Sequence, residues 1–149
     1  MQAVIFIGVQ AAGKSTFFKE HFFDTHVRIN LDMLKSRQRE KMLLDACLQS
    51  QQSFVVDNTN PTVEDRKRYI IPAKEANFDI IGYYFKSSIN AVLQRNQPRA
   101  GKQRIPEVGI RSTFHKLQLP TLAEGFDQLY TVRVDPDGLF RVDEWQDEA

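Results

Sequence analysis

Residues 8–16 read Gly-Val-Gln-Ala-Ala-Gly-Lys-Ser-Thr, the pattern G-x-x-x-x-G-K-[ST], and they follow directly on the apolar run Ala3-Val4-Ile5-Phe6-Ile7. The order of a buried strand, a glycine-bearing turn and a helix-competent segment is the context in which this pattern carries chemistry. The glycines let the backbone curl until successive N–H groups point inward, and the next helix presents its positive end to the same spot. Such a cradle suits the phosphates of a nucleoside triphosphate; a glycine turn without a ligand is the competing reading. Gly8, Ala11, Ala12, Gly13, Lys14, Ser15 and Thr16 are therefore the expected nucleotide-binding residues. Lys14 would reach the outer phosphates of ATP, and the Ser15 hydroxyl would serve Mg2+.

The run at 3–7 is β-branched and aromatic on both faces, as in a strand covered on both sides of a parallel sheet. Further strands are expected at 27–31, 54–56, 80–85 and 129–134. Between them, residues 37–51 carry Met42, Leu43, Ala46 and Leu48 among charges, and Val63, Tyr69, Ile70, Ala73 and Ala76 recur at helical spacing. Asn60-Pro61-Thr62 followed by Asp65 predicts a helix start with a prolyl first turn and a capping partner. Strands alternating with helices predict an α/β fold: a three-layer parallel sheet with helices on both faces, of the P-loop NTPase, nucleoside/nucleotide-kinase-like kind. With 149 residues, one domain over 1–149 is expected.

The apolar run at 3–7 is far shorter than the ~20 residues that span a bilayer, so no membrane contact is expected. Cys47 is the sole cysteine. It can form neither an internal disulfide nor a cysteine-based zinc site, which fits a cytoplasmic protein, and it reads as a small buried helix residue. His21, His26 and His115 lack metal-ligand spacing and receive no role.

Lys and Arg number 20 against 19 Asp and Glu, a formal charge of +1 that excludes a general polyanion binder. The distribution is uneven. Residues 95–116 hold Arg95, Arg99, Lys102, Arg104, Arg111 and Lys116 against Glu107 alone, while 135–149 holds six acids and Arg141. Pro98, Gly101 and Pro106 make 95–106 loop-like, so the basic block is either a solvated face or a short lid whose arginine closes over phosphates. Residues 135–149 are expected to be an acidic tail.

A phosphate cradle alone does not choose among phosphoryl transfer, motor hydrolysis and switching. The chain lacks the Asn-Lys-x-Asp segment by which GTPases read their base, and it is short for a ring ATPase with its helical lid domain. A small kinase remains. Its acceptor hydroxyl needs a base, and Asp32 falls where the second strand should end, the side on which ligands gather in open α/β sheets. Asp32 as a helix cap before Met33-Leu34 is equally open on spacing alone. Asp57, ending the third strand, could hold a metal-bound water or start the turn Asn58-Thr59-Asn60-Pro61.

Residues 8–16, Asn30-Leu31-Asp32, Val55-Val56-Asp57-Asn58-Thr59-Asn60-Pro61, Arg66-x-x-Tyr69-Ile70 and Pro120-Thr121-Leu122-Ala123-Glu124-Gly125-Phe126 together resemble the 5′-kinase domain of polynucleotide kinase/phosphatase. The resemblance covers roughly residues 3–134 and extends to bacterial stand-alone predicted P-loop kinases. It implies transfer of the γ-phosphate of ATP to the 5′-hydroxyl of a nucleic-acid end. Carried over by position, it makes Lys14, Asp32 and Arg99 catalytic, with Arg99 as the lid arginine of Arg95-Asn96-x-x-Arg99 and Arg95 beside the nucleotide. Ser15 and Asp57 take the metal, and Asp32, Lys35, Arg37, Asp57 and Asn58 line the acceptor side. Phage-type members carry arginine three places after the base; here that position is Lys35, which cannot make arginine's planar bidentate contact, and Arg37 stands two places further on. No phosphatase or phosphopeptide-binding sequence accompanies these motifs, so removal of a 3′-phosphate is not expected.

Three readings follow. In the first, a polynucleotide 5′-hydroxyl kinase, Lys35, Arg37, Arg66, Arg104 and Arg111 would grip the strand, with Phe114 stacking on a base or lying in the core. In the second, the acceptor is a small hydroxylated metabolite or nucleoside. In the third, the protein is a non-catalytic, ATP-dependent interaction module whose tail docks through Leu139, Phe140 and Trp145, unless Trp145 folds back on the core.

Overall fold

The computed structural model describes residues 1–98 and 105–146. Its centre is a six-stranded sheet in the order β2-β3-β1-β4-β5-β6. The strands are β1 (Gln2–Ile7), β2 (Val27–Ile29), β3 (Phe54–Val56), β4 (Asp79–Phe85), β5 (Gln128–Val134) and β6 (Phe140–Glu144). The first five run parallel, with β1 between β3 and β4.

Alternation along the strands splits the core in two. Ala3, Ile5 and Ile7 of β1, with Phe54 and Val56 of β3, face Leu44 and Cys47 of α3 (Arg37–Ser50) and Tyr69, Ile70 and Ala73 of α4 (Val63–Glu75). Val4 and Phe6, with Val55, face the other way, onto Phe17 and Phe18 of α1 (Lys14–His21), Val92 of α5 (Ile89–Asn96) and Ile110 of α6 (Glu107–Lys116). Each parity of β1 thus has its own helical layer, which is why the run reads apolar throughout.

The start of α4 is a capping box in which Thr62 accepts from the Asp65 N–H and Asp65 accepts from the Thr62 N–H. Pro61 lies just before that cap, outside the first turn. Cys47 is buried on α3, and Phe114 packs against the second core cluster.

The expected acidic tail is corrected by β6, which pairs antiparallel with β5 from Val134↔Phe140 to Tyr130↔Glu144. Within it Phe140 is half-buried and its ring meets Phe17 edge-on at 5.2 Å; just past the strand Trp145 stands edge-on to Tyr84 at 5.7 Å. An antiparallel partner on the β5 edge makes the sheet mixed rather than wholly parallel. No described helix is long and apolar enough to cross a membrane.

Candidate active site

β1 delivers the chain into the cradle at Gly8, where a side chain has no room: a Cβ there would lie 3.0 Å from the Cβ of Phe85 and 3.3 Å from its carbonyl oxygen. The Gly8 N–H donates to the Thr59 carbonyl, tying the cradle to the loop after β3. Ala11 (φ 62°) and Gly13 (φ 98°) are both left-handed, and Gly13 forms the N-cap of α1. Lys14, buried, folds back to donate from Nζ to the carbonyls of Gly8 (3.0 Å) and Val9 (2.6 Å). Arg95, on α5, donates from Nη1 to the Ala11 carbonyl (3.2 Å) and so braces the cradle from outside.

Below the cradle the Ser15 hydroxyl donates to Oδ2 of Asp57 (3.0 Å), whose carboxylate is 2% exposed. Arg28, on β2, completes this cluster: Nε donates to the same Oδ2 (2.9 Å) and Nη2 to Ser15 Oγ (3.0 Å). A hydroxyl and a carboxylate oxygen held 3.0 Å apart are the kind of ligands a hard divalent cation takes. Gln10 Oε1 is buried at the same cavity without a hydrogen-bond partner, a polar atom of the kind a ligand completes. Ser15 and Asp57 therefore suit a metal ion, and the cradle suits the phosphates it would accompany.

Asp32 is the second residue of α2 (Leu31–Leu34), not the end of a strand, and the cap is Asn30, whose side chain accepts from the Met33 N–H (2.9 Å). Asn30 Nδ2 in turn donates to the Asp57 carbonyl (2.6 Å), and Asn58 Oδ1 accepts from the Leu31 N–H (2.8 Å). The start of this turn is thereby moored to the segment after β3, and Asp32 stands on the cavity wall with no side-chain hydrogen bond among the described residues. The α2 turn closes at Lys35 (φ 76°), and Ser36 caps α3, whose first residue is Arg37.

A buried acid organises the wall beyond. Glu40, 1% exposed, accepts from Arg37 Nη1 (2.8 Å) and the Tyr69 hydroxyl (3.0 Å) on Oε1, and from Asn58 Nδ2 (3.0 Å) on Oε2. Burial acts against the Arg37 charge, but the hydrogen bond and field of Glu40 outweigh it and hold the guanidinium above its ordinary pKa. Burial, then the Glu40 carboxylate, pushes the Tyr69 phenol up, so it stays a donor.

The resulting cavity, about 440 Å3, brings Lys14, Ser15, Asp32, Arg37, Asp57 and Asn58 together. Lys35 and Arg111, both exposed, do not line it. Arg66 is corrected from a strand-gripping role: it is 0% exposed, and its Nη1 donates to both carboxylate oxygens of Glu124 (3.0 and 2.9 Å). Its Nε meets the Asn60 carbonyl, and Nη2 meets the carbonyls of Pro61 and Gln118, so it clamps loops instead. Arg99, Lys102 and Arg104 lie outside the described residues.

Arg28, Glu40, Thr113 and Lys116 belong to the site or its support and were not singled out for these places by sequence reasoning. Two carried a signal. Arg28 is a charge between the apolar Val27 and Ile29 of a strand, and Glu40 shares the i, i+4, i+7 face of Leu44 and Cys47.

Over 135 residues the chain is 30% identical to a bifunctional polynucleotide phosphatase/kinase of Schizosaccharomyces pombe, across 88% of this chain and 33% of that protein. It is 26% identical over 144 residues to an L-seryl-tRNA(Sec) kinase of Methanococcus maripaludis, across 83% of this chain and 55% of that one. The chain is thus similar to the kinase portion of polynucleotide-kinase-like proteins. The chain spans only a third of the fungal relative's length. Its fold is shared with Chaetomium thermophilum Kti12, solved in complex with ADP-AlF3, at TM-score 0.67, 12% identity and coverage of 91% and 92% of the two chains. No protein-family model matches the chain.

Proposed function

We propose that the protein transfers the γ-phosphate of ATP to a hydroxyl acceptor, the 5′-hydroxyl of a polynucleotide end. The observation that carries this reading is the single cavity in which the cradle lysine and the Ser15–Asp57 pair face Asp32, with Arg37 and Lys116 on the wall beyond. The acceptor oxygen would form the new bond to phosphorus as the bond to the bridging β,γ-oxygen breaks, and Asp32 would take the hydroxyl proton. Lys14, whose Nζ rests on the Gly8 and Val9 carbonyls, would carry its charge to the outer phosphates. Mg2+ held by Ser15 and Asp57 would add Lewis-acid charge against the phosphates. Arg37 and Lys116 supply positive charge for an anionic acceptor, and Asn58 fixes the turn that carries Asp32. Arg99 is the proposed lid arginine, with Arg95 beside the nucleotide.

The test is labelled ATP offered with 5′-hydroxyl DNA and RNA oligonucleotides and with small hydroxylated acceptors. Label is expected in an oligonucleotide, with Asp32→Ala lowering transfer by roughly 10²–10⁴-fold while ATP affinity is kept. Oligonucleotide affinity should also fall steeply with salt. Label entering small acceptors alone would sink the polynucleotide reading. A small hydroxylated metabolite or nucleoside is the second reading, favoured by a cavity of about 440 Å3, within the range of small-molecule pockets. The reading as a docking module is weakened because Phe140 and Trp145 are engaged in the protein's own packing.

A further inference from the structure

The oxygens proposed above as metal ligands are already held by a cation of the protein's own. Asp57 Oδ2 receives Arg28 Nε at 2.9 Å and Nη2 at 2.9 Å, and Nη2 also reaches Ser15 Oγ at 3.0 Å. The carboxylate is 2% exposed and could not stay charged there alone without a large desolvation cost. Arg28 projects from β2, the edge strand beside β3, and its guanidinium carbon lies 6.0 Å over the Phe18 ring, a second resting contact on α1. Its side chain keeps 28% exposure, so a path out of the cluster is open.

We propose that Arg28 is a positioning residue that stands in for the divalent cation: it holds Ser15 and Asp57 as a formed pair in the metal-free protein and is exchanged for the ion when the ion binds. The argument is one of charge and of lone pairs. A divalent ion and a guanidinium cannot both lie against Oδ2 and Oγ at hydrogen-bond distance without strong repulsion. The exchange keeps the buried carboxylate neutralised throughout, at the expense of a weakened apparent metal affinity. The inference rests on the metal assignment of the proposed function.

The test is Mn2+ binding in the presence of ADP, read as loss of the free-ion spin-resonance signal, together with melting temperature in EDTA and in Mn2+ with ADP. Wild type, Arg28→Ala, Arg28→Gln and Ser15→Ala are compared. Arg28→Ala is expected to bind Mn2+ on the order of tenfold more tightly than wild type, the scale of one charged hydrogen bond given up. It should also melt lower in EDTA and gain more from Mn2+ than wild type does. Should Arg28→Ala be unstable in EDTA, Arg28→Gln, which keeps a neutral donor, is expected to show the same tightening to a smaller degree. Equal or weaker Mn2+ binding in both Arg28 variants, with Ser15→Ala impaired, would overturn the exchange while leaving the metal site standing. No Mn2+ binding by any of the proteins would overturn both.

Discussion

Arg37 reaches the cavity from the first turn of α3 with about half of its side chain exposed, 51%, and its other face pinned by Glu40. Arg37 lines the cavity and Lys35 does not, so in the proposed reaction Arg37 is the residue for the acceptor side. Arg37→Ala should raise the acceptor KM about 10–100-fold and leave ATP affinity unchanged, and Arg37→Lys should recover only part of that, because an ammonium cannot make the planar paired contact. A different residue sets a pH response. His26 bridges Thr25 and Gln2 (2.7 and 2.9 Å), and burial lowers its pKa below the ordinary 6.5. The unfolded chain therefore binds the proton first as pH falls. This contribution is fully present above pH 6.5 and is lost as pH drops through 6.5 towards the folded value. Melting curves between pH 5 and 7 should show a shallower decline in His26→Gln than in wild type.

At the level of elements, α2 is tied to the loop after β3 by Asn30 and Asn58, and the Glu40 carboxylate of α3 holds the Asn58 amide in place for it. Every partner of Glu40 is a donor: Arg37, Tyr69 and Asn58. Glu40→Gln puts an amide N–H against one of them and should cost about 1–3 kcal/mol of stability. It should also raise the acceptor KM more than it weakens ATP binding, a split measurable by steady-state kinetics beside nucleotide titration. The clamp between α4 and the 3-10 turn at Leu122–Glu124 is purely structural. Glu124→Ala leaves Arg66 charged at 0% exposure and should destabilise by roughly 3–5 kcal/mol in denaturant unfolding.

Across the whole molecule, β6 is what lies behind the phosphate cradle. The Phe140 ring stands 3.1 Å from where a Cβ on Gly13 would be and packs on Phe17, the fourth residue of α1. A strand more than a hundred residues away in the chain thus packs against the turn proposed to receive phosphates. Phe140→Ala should cost about 2–4 kcal/mol in thermal or chemical unfolding, less than a fully buried phenylalanine because the ring is only half-buried. The same variant should weaken ATP binding several-fold by equilibrium titration, with no effect on the acceptor KM. Unchanged nucleotide affinity would show that the cradle keeps its shape unaided.

The cradle was legible because its chemistry is local: nine consecutive residues contain the glycines, the lysine and the hydroxyl, and the strand before them reads apolar on both faces. The same holds for the helix at α3 and the capping box of Thr62 and Asp65, each decided within a turn or two. Arg66 was misplaced because a charged residue reads as solvated until a partner from far along the chain, here Glu124, satisfies it in the core. The final acids looked like a tail because edge strands carry charge on their open side, and only pairing with β5 identifies them as a strand. Sequence alone determined the local geometry that can hold phosphates; the sheet order decided which distant side chains meet there. Charge neutralisation and hydrogen-bond satisfaction are settled between neighbours in space, and Arg28 against Asp57 became neighbours only when β2 paired beside β3.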